Sequence, residues 1–217
     1  MSKLVWTVPA IVLGLALVPI LAGGVGAQSA ASPATLPEGV FAAERDIRLA
    51  TAGNYNLDSA HTAVIARVSH LGYSWSVFRF DHAQGTLAWD PAAVAQSKLS
   101  IAVQTNSVAT NVEGFAAEIA GDGFLKSAAF PQATFVSTAF RQTDATHGQV
   151  DGQFTLMGKT RPLTFNVELV GAGKGFMGRP RIGVQARAKI NPQDFGLPPL
   201  MTDPIEIAVD TEFEKAP

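Results

Sequence analysis

From His61 to Phe80 the chain reads HTAVIARVSHLGYSWSVFRF, a strict alternation that turns once, at Leu71-Gly72-Tyr73, and then resumes. Successive side chains of a strand point to opposite faces, so Val64, Ala66, Val68 and His70 share one side while Ala63, Ile65, Arg67 and Ser69 share the other. The pattern predicts a β-hairpin with one face kept dry. What that face holds is the functional question.

The same period of two recurs along the chain. Leu163, Phe165, Val167 and Leu169 oppose Thr164, Asn166 and Glu168. Ile182, Val184, Ala186, Ala188 and Ile190 oppose Arg181, Gln185, Arg187 and Lys189, and Ile205, Ile207, Val209 and Phe213 oppose Glu206, Asp210 and Glu212. Segments 97–105, 133–142 and 148–158 add further strands. Turn signals separate them at Gly72, Asp90-Pro91, Gly148, Gly158, Gly171 to Gly175 and Asp203-Pro204. One-sided strands joined by short turns predict an all-β antiparallel fold, either a barrel or a sandwich. Thr110 to Pro131 lacks the alternation. Val112, Phe115, Ala116 and Ile119 fall there at helical spacing, with Asn111 as a cap and Gly121 as a stop. A short helix, followed by a loop carrying Phe124, Leu125 and Phe130, would cover one open end of a barrel.

The first 27 residues do not belong to this pattern. Lys3 precedes an apolar stretch from Leu4 to Ala22, and Val25-Gly26-Ala27 supplies the small residues a signal peptidase accepts. Pro9 and Pro19 interrupt the stretch, which favours cleavage after Ala27 over a retained membrane anchor. A signal peptide at 1–27, a flexible leader at 28–53 and one domain at 54–217 are therefore expected. The leader is rich in Ala, Ser and Pro at first; its second half, AAERDIRLATAG, can form a short helical turn. The chain contains no cysteine, so export brings no disulfide and the core alone must hold the fold. Without Lys3 of the expected signal peptide the formal net charge goes from −2 to −3, which offers nothing to nucleic acid or to an anionic membrane surface; exposed strand edges and a flexible leader are compatible with a monomer or a homodimer.

The usual catalytic signatures are missing. There is no thiol, GxSxG elbow, P-loop, GxGxxG after a strand or HExxH. The GAGKG run at Gly171 to Gly175 lacks the Walker spacing and reads as a hairpin loop. His61 and His70 are nine residues apart on one strand, about 30 Å at 3.3 Å per residue, too far to share a metal ion. His82 and His147 fall in predicted turns. No metal site and no cofactor is expected.

The run YNLDSAHTAVIARVSHLGYSWSVFRFDHAQGTLAWDP, followed in order by FLKSAAFPQATFVST, GQFTLMGKTRPLTFNVEL and INPQDFGLPPLMTDPIEIAVDTEFE, resembles the YceI-like proteins from about Asn54 to Glu214. The resemblance implies a lipocalin-like antiparallel barrel of about eight strands, exported to the periplasm. It also implies a partner, an elongated isoprenoid lipid such as a polyprenyl phosphate or a quinone tail. The small inward residues Ala66, Ala186 and Ala188 among Val64, Val68 and Val184 independently leave room inside such a barrel. Phe78, Phe80, Phe135, Phe154 and Phe165, if inward, would line that room. His70, Arg161 and Lys126 are the candidate polar contacts for a head group.

Several positions depart from the family pattern. Thr62 stands where a serine is usual, and Ala66 and Phe78 stand where a phenylalanine and a glycine are common; if the last two face each other, Phe78 refills the space that Ala66 leaves. Met157 and Pro192 replace a histidine and an arginine; if either of those family residues contacts a phosphate head, their loss favours a neutral head group over a diphosphate. The expected function is a non-catalytic lipid carrier. A solidly packed envelope barrel is the alternative from another class, and an enzyme acting on the lipid would need two titratable groups converging inside.

Overall fold

The computed structural model describes residues 36–37, 40–175 and 178–217. The expected signal peptide and most of the first half of the leader lie outside them. Among the described residues ten strands make one antiparallel sheet: β1 (Gly53–His70), β2 (Ser74–Phe80), β3 (Ala83–Trp89), β4 (Lys98–Gln104), β5 (Val108–Ala109), β6 (Gln132–Gln142), β7 (His147–Leu156), β8 (Lys159–Lys174), β9 (Pro180–Ile190) and β10 (Ile205–Lys215). Neighbours run β3, β4, β6, β7, β8, β9, β10, and β10 pairs back onto β1. That last pairing closes the sheet and decides between barrel and sandwich.

β2 and β3 act as one bent strand against β1. β2 pairs with Val64 to His70, and β3 with Gly53 to Asn56. Counted this way, eight strands surround the interior, with β5 attached to the outer edge of β2. The first hairpin turns where the sequence breaks. Leu71 and Gly72 both take positive φ, 53° and 78°, the mirror-image turn whose twist suits two antiparallel strands.

β1 changes phase midway. Before the change Tyr55 and Leu57 face inward; after it Val64, Ala66 and Val68 do. Between Asp58 and Ala63 the ladder to β10 slips, so that Ser59 to Thr62 oppose Thr211 alone. Polar groups hold the bulge. The Ala60 N–H donates to Asp58 Oδ1 at 3.0 Å, Thr62 Oγ1 donates to the Asp58 carbonyl at 2.7 Å, and the Thr62 and Thr211 hydroxyls meet at 2.6 Å. The hydroxyl kept at Thr62 thus serves the backbone.

Both barrel ends are covered. At one, the helix α1 (Phe115–Ala120), the loop through Phe130 and the single turn α2 (Pro192–Phe195) close over Phe78, Phe154, Leu156 and Ile205. Helix α1 begins after Gly114, whose φ of 76° admits the chain, so Asn111 is not its cap and Val112 stays exposed; Gly121 does end it. Pro192 occupies the first turn of α2, behind Asn191, whose side chain accepts from the Gln193 N–H. At the other end, residues 44–52 lie across the rim. Glu44 pairs with Ala172, a 3-10 turn spans Ile47–Leu49, Trp89 Nε1 donates to the Ala50 carbonyl at 3.1 Å, and the Tyr55 hydroxyl donates to the Thr51 carbonyl at 2.6 Å. The expected helical turn is present, and it caps the barrel. Of the GAGKG run, Gly171 to Lys174 extend β8, and the turn lies beyond them.

Candidate functional site

The strand faces read from the sequence converge on one elongated cavity with a free volume of about 300 Å³. It runs from Ile119, Leu125 and Leu197 under the helical cap to Ile47, Trp89 and Ile182 under the 44–52 segment. The size falls in the range of small-molecule sites. A filled barrel of this strand number would have side chains where this one has space.

The expected wall residues are placed as follows. Val64, Ala66 and Val68 of β1 and Phe78 and Phe80 of β2 line the cavity, as do Phe135 of β6, Phe154 of β7, Phe165 of β8 and Val184 and Ala186 of β9. Ala188 is buried beside them in the cluster under the helical cap, outside the wall. Ala66 and Phe78 are direct cross-strand partners, a pairing that sets Cα atoms about 4.5–5.5 Å apart. The Phe78 ring also packs on Phe115 of α1, with centroids 5.9 Å apart. Phe135 and Phe165 meet edge to face at 5.0 Å. Gly152 makes the Phe135 position available: a Cβ there would lie 2.4 Å from the ring and 2.5 Å from the Val136 carbonyl.

The three head-group candidates lie elsewhere. His70 ends β1 in solvent, two residues beyond Val68, the last position of that face to line the cavity. Lys126 is exposed on the loop after α1 with φ 52°, and Arg161 is exposed on β8, its guanidinium donating to the Thr160 carbonyl at 2.8 Å. None lines the cavity. Met157 and Pro192 are both buried in the helical cap, also outside the wall. Met157 takes the positive φ of a two-residue turn with Gly158 between β7 and β8. Both departures from the family pattern therefore serve backbone turns.

The structure adds a mouth that the sequence did not point to. Among the described residues of the wall, the exposed ones all belong to the β6–β7 hairpin: Arg141, Gln142, Asp144, Ala145 and His147. Asp144 organises this turn. The N–H groups of Thr146 and His147 each donate to its Oδ1 at 2.8 Å, and His147 Nδ1 lies 3.0 Å from it. The backbone hydrogen bond from Thr146, then the His147 ring, hold the Asp144 carboxyl at about 2, well below its ordinary value. Arg141 points to the outer face. There it pairs with the Asp151 carboxylate and donates to Gln149 Oε1 at 3.0 Å. Three threonines supply the polar part of the inner wall. The hydroxyl of Thr105 donates to the Phe130 carbonyl at 2.8 Å, and Thr211 is held by Thr62; Thr134 is the third.

A second cluster lies on the outside. Asp58, His61 and Glu212 bring ligand-type atoms within 4.8 Å of one another, but the Arg181 guanidinium already bridges Asp58 at 2.6 Å and Glu212 at 2.7 Å, and reaches Glu214 at 2.6 Å. Burial works to raise the Asp58 pKa. Hydrogen bonds from His61, Arg181 and the Ala60 N–H outweigh it and leave the group at about 2. A site already holding a guanidinium is an ion-pair network that ties the β1 bulge to β10.

Residues 55–213 match the YceI-like domain family. The chain belongs to the YceI-like family. The YceI protein of Escherichia coli O157:H7 is 35% identical over 150 residues, 68% of this chain and 78% of that protein. Among solved structures, BcnA of Burkholderia cenocepacia superposes with a TM-score of 0.65 at 21% identity, over 72% of this chain and 98% of that one. A polyisoprenoid binding domain from Saccharophagus degradans, implicated in plant cell wall breakdown, gives 0.54 at 16% identity over 75% and 98%. At such identities these two likenesses concern the fold. The barrel that the resemblance implied is present, and the β1–β10 ladder decides for it over the sandwich that the strand pattern had left open.

Proposed function

We propose that this protein is a non-catalytic carrier that sequesters an elongated isoprenoid-type lipid in its barrel, and that it works in the periplasm. The observation that carries the reading is the apolar cavity running between the two caps. Each isoprene unit offers five carbons, and at roughly 0.8 kcal/mol per buried CH₂ a few units outweigh the ordering cost of a flexible tail. The wall supports binding without chemistry: among the described residues its titratable side chains gather at the mouth, and no pair of them converges inside. The structural neighbour whose name states polyisoprenoid binding supports the ligand class, and the features of residues 1–27 support export.

The test is native mass spectrometry of the protein exported in its host, followed by organic extraction and identification of what is released. A stoichiometric prenyl lipid is the expected result. A protein that emerges empty and also ignores added polyprenols and prenylquinones overturns the carrier reading.

A further inference from the structure

The most exposed large apolar side chains among the described residues gather at one end of the barrel. Tyr73 (87% exposed) and Leu71 (73%) form the tip of the β1–β2 hairpin, and Leu200 (70%) lies on the loop that enters β10. β10 runs beside β1, with Glu206 opposite Arg67, so both loops emerge at the end closed by α1 and α2. Trp75 and Val77 continue the outer face of the hairpin, and Val112, exposed as well, follows β5. Exposed apolar side chains brought together from separate segments mark an interaction surface.

The shape and chemistry of the tip fit a lipid surface. Fluid lipid closes around a convex tip without needing a complementary groove. The donors of the turn are already satisfied: the Tyr73 N–H donates to the His70 carbonyl at 3.0 Å, and the Gly72 N–H to Ser69 Oγ at 3.3 Å, so the tip can leave water without stranding them. The Arg67 guanidinium sits 5.2 Å over the Trp75 ring, and tyrosine and tryptophan beside a cation are the side chains that settle at headgroup level. Flanking charges cancel. Arg67 and Arg187 share Glu206, Arg79 pairs with Asp81, and Lys126 on the cap is accompanied by Glu118 and Asp122. A neutral surround matches zwitterionic phospholipid rather than an anionic surface, in keeping with a net charge of −2.

The outer edge of β2 offers a protein partner a competing site. Ser74 to Phe78 have no strand partner there among the described residues, because β5 takes only Arg79 and Phe80. A strand added to that edge would stop against β5 and would not itself cover Leu71 and Tyr73. The edge also limits depth, since its unpaired backbone groups cannot enter hydrocarbon. We propose that the β1–β2 hairpin docks the protein on a zwitterionic bilayer, with Leu71 and Tyr73 entering the interface, Trp75 at headgroup level and Leu200 as a second contact. Any exchange of cargo there rests on the carrier reading; the docking itself does not.

The experiment floats the exported protein with vesicles of phosphatidylcholine and phosphatidylethanolamine. The protein is expected to float with them at low and at high salt alike. Trp75 and Trp89 are the two tryptophans beyond residue 27, and Trp89 is held at the opposite rim by the Ala50 carbonyl. In Trp89→Phe the remaining fluorescence should shift to the blue on vesicles and be quenched by lipid brominated in the upper acyl chain. Leu71→Asn, a residue that tolerates the positive φ, combined with Tyr73→Ser should lower vesicle partitioning at least about tenfold, a factor within what burial of one large apolar side chain supplies. The melting temperature and the binding of a detergent-delivered prenylquinone should not change. Absent vesicle binding, binding undiminished in the double variant, or Trp75 fluorescence that ignores brominated lipid overturns the proposal. A wild-type dimer that ignores vesicles and that the double variant makes monomeric also overturns it, and assigns the face to a second copy. Vesicle docking without prenylquinone binding would remove the carrier reading and leave the docking in place.

Discussion

The Ala66 and Phe78 pair gives a quantitative test of how the cavity wall is built. The two residues face each other across β1 and β2, and Phe78 is only 6% exposed, wedged between the cavity and Phe115. Removing a buried phenylalanine side chain costs about 3–5 kcal/mol, and a glycine within a strand adds about 0.5–1 kcal/mol over alanine. Phe78→Gly alone should therefore lower stability by about 4 kcal/mol. Ala66→Phe in the wild-type background sets two rings on facing positions and costs about 1–3 kcal/mol through overpacking. In the Phe78→Gly background the same substitution refills the vacated space. The double variant should regain at least about 2 kcal/mol over Phe78→Gly, giving a coupling of about 3–5 kcal/mol, at or above the top of the usual range for residues in contact. Urea unfolding at neutral pH measures this through the midpoint, provided the slope is unchanged across the cycle. A double variant that unfolds at or below the Phe78→Gly midpoint would refute the compensation.

Gly152→Ala brings a Cβ to within 2.5 Å of the Val136 carbonyl and closer still to the Phe135 ring. It should cost about 1–3 kcal/mol by overpacking and push that ring into the cavity, so lipid capacity should fall together with the melting temperature. Asp58 should account for part of the acid sensitivity: its pKa is held at about 2, below its ordinary 3.8, so its contribution is full above pH 4 and is lost as pH falls toward 2. Asp58→Asn should destabilise the protein by about 1–3 kcal/mol at pH 7 through loss of charged hydrogen bonds and flatten the stability profile between pH 4 and 2. Asp144 titrates in the same window, so Asp144→Asn serves as the comparison. An unchanged acid limb in Asp58→Asn would mean that the Arg181 network holds without it.

The strand faces were legible because one-sided burial writes a period of two directly into the chain. Leu163 to Leu169, Ile182 to Ile190 and Ile205 to Phe213 all point as that period requires. His70 shows the limit of phase alone: it has the inward parity, but the strand ends there and the turn carries it into solvent. Closure was not legible, because the β1–β10 ladder joins residues about 150 apart and no local pattern records a partner. The bulge at Asp58 is of the same kind, since its geometry depends on Thr211 and Arg181 from distant strands. The cap formed by residues 44–52 is held chiefly through the carbonyls of Ala50, Thr51 and Ala52, and backbone acceptors leave no side-chain signature. The mouth was missed because Gln142, Asp144 and Thr146 have the composition of any surface turn; only their position over the cavity distinguishes them.

The cavity has a stability consequence that ties the fold to the proposed cargo. At about 24 cal/mol per Å³ of unfilled interior, a void of about 300 Å³ costs on the order of 7 kcal/mol relative to a filled core. Domains are typically stable by only 5–15 kcal/mol, and this chain has no disulfide to make up the difference. The closed ladder and the two caps must therefore hold the empty barrel unaided. A ligand that fills the void returns the missing contacts and also stabilises by mass action, by about 2.7 kcal/mol at a hundredfold excess over its Kd. The delipidated protein should melt well below the protein as exported, and added prenyl lipid should raise its Tm in a concentration-dependent way, which scanning calorimetry would show. If the delipidated and loaded forms melt together at every lipid concentration, the bound lipid is not in the barrel.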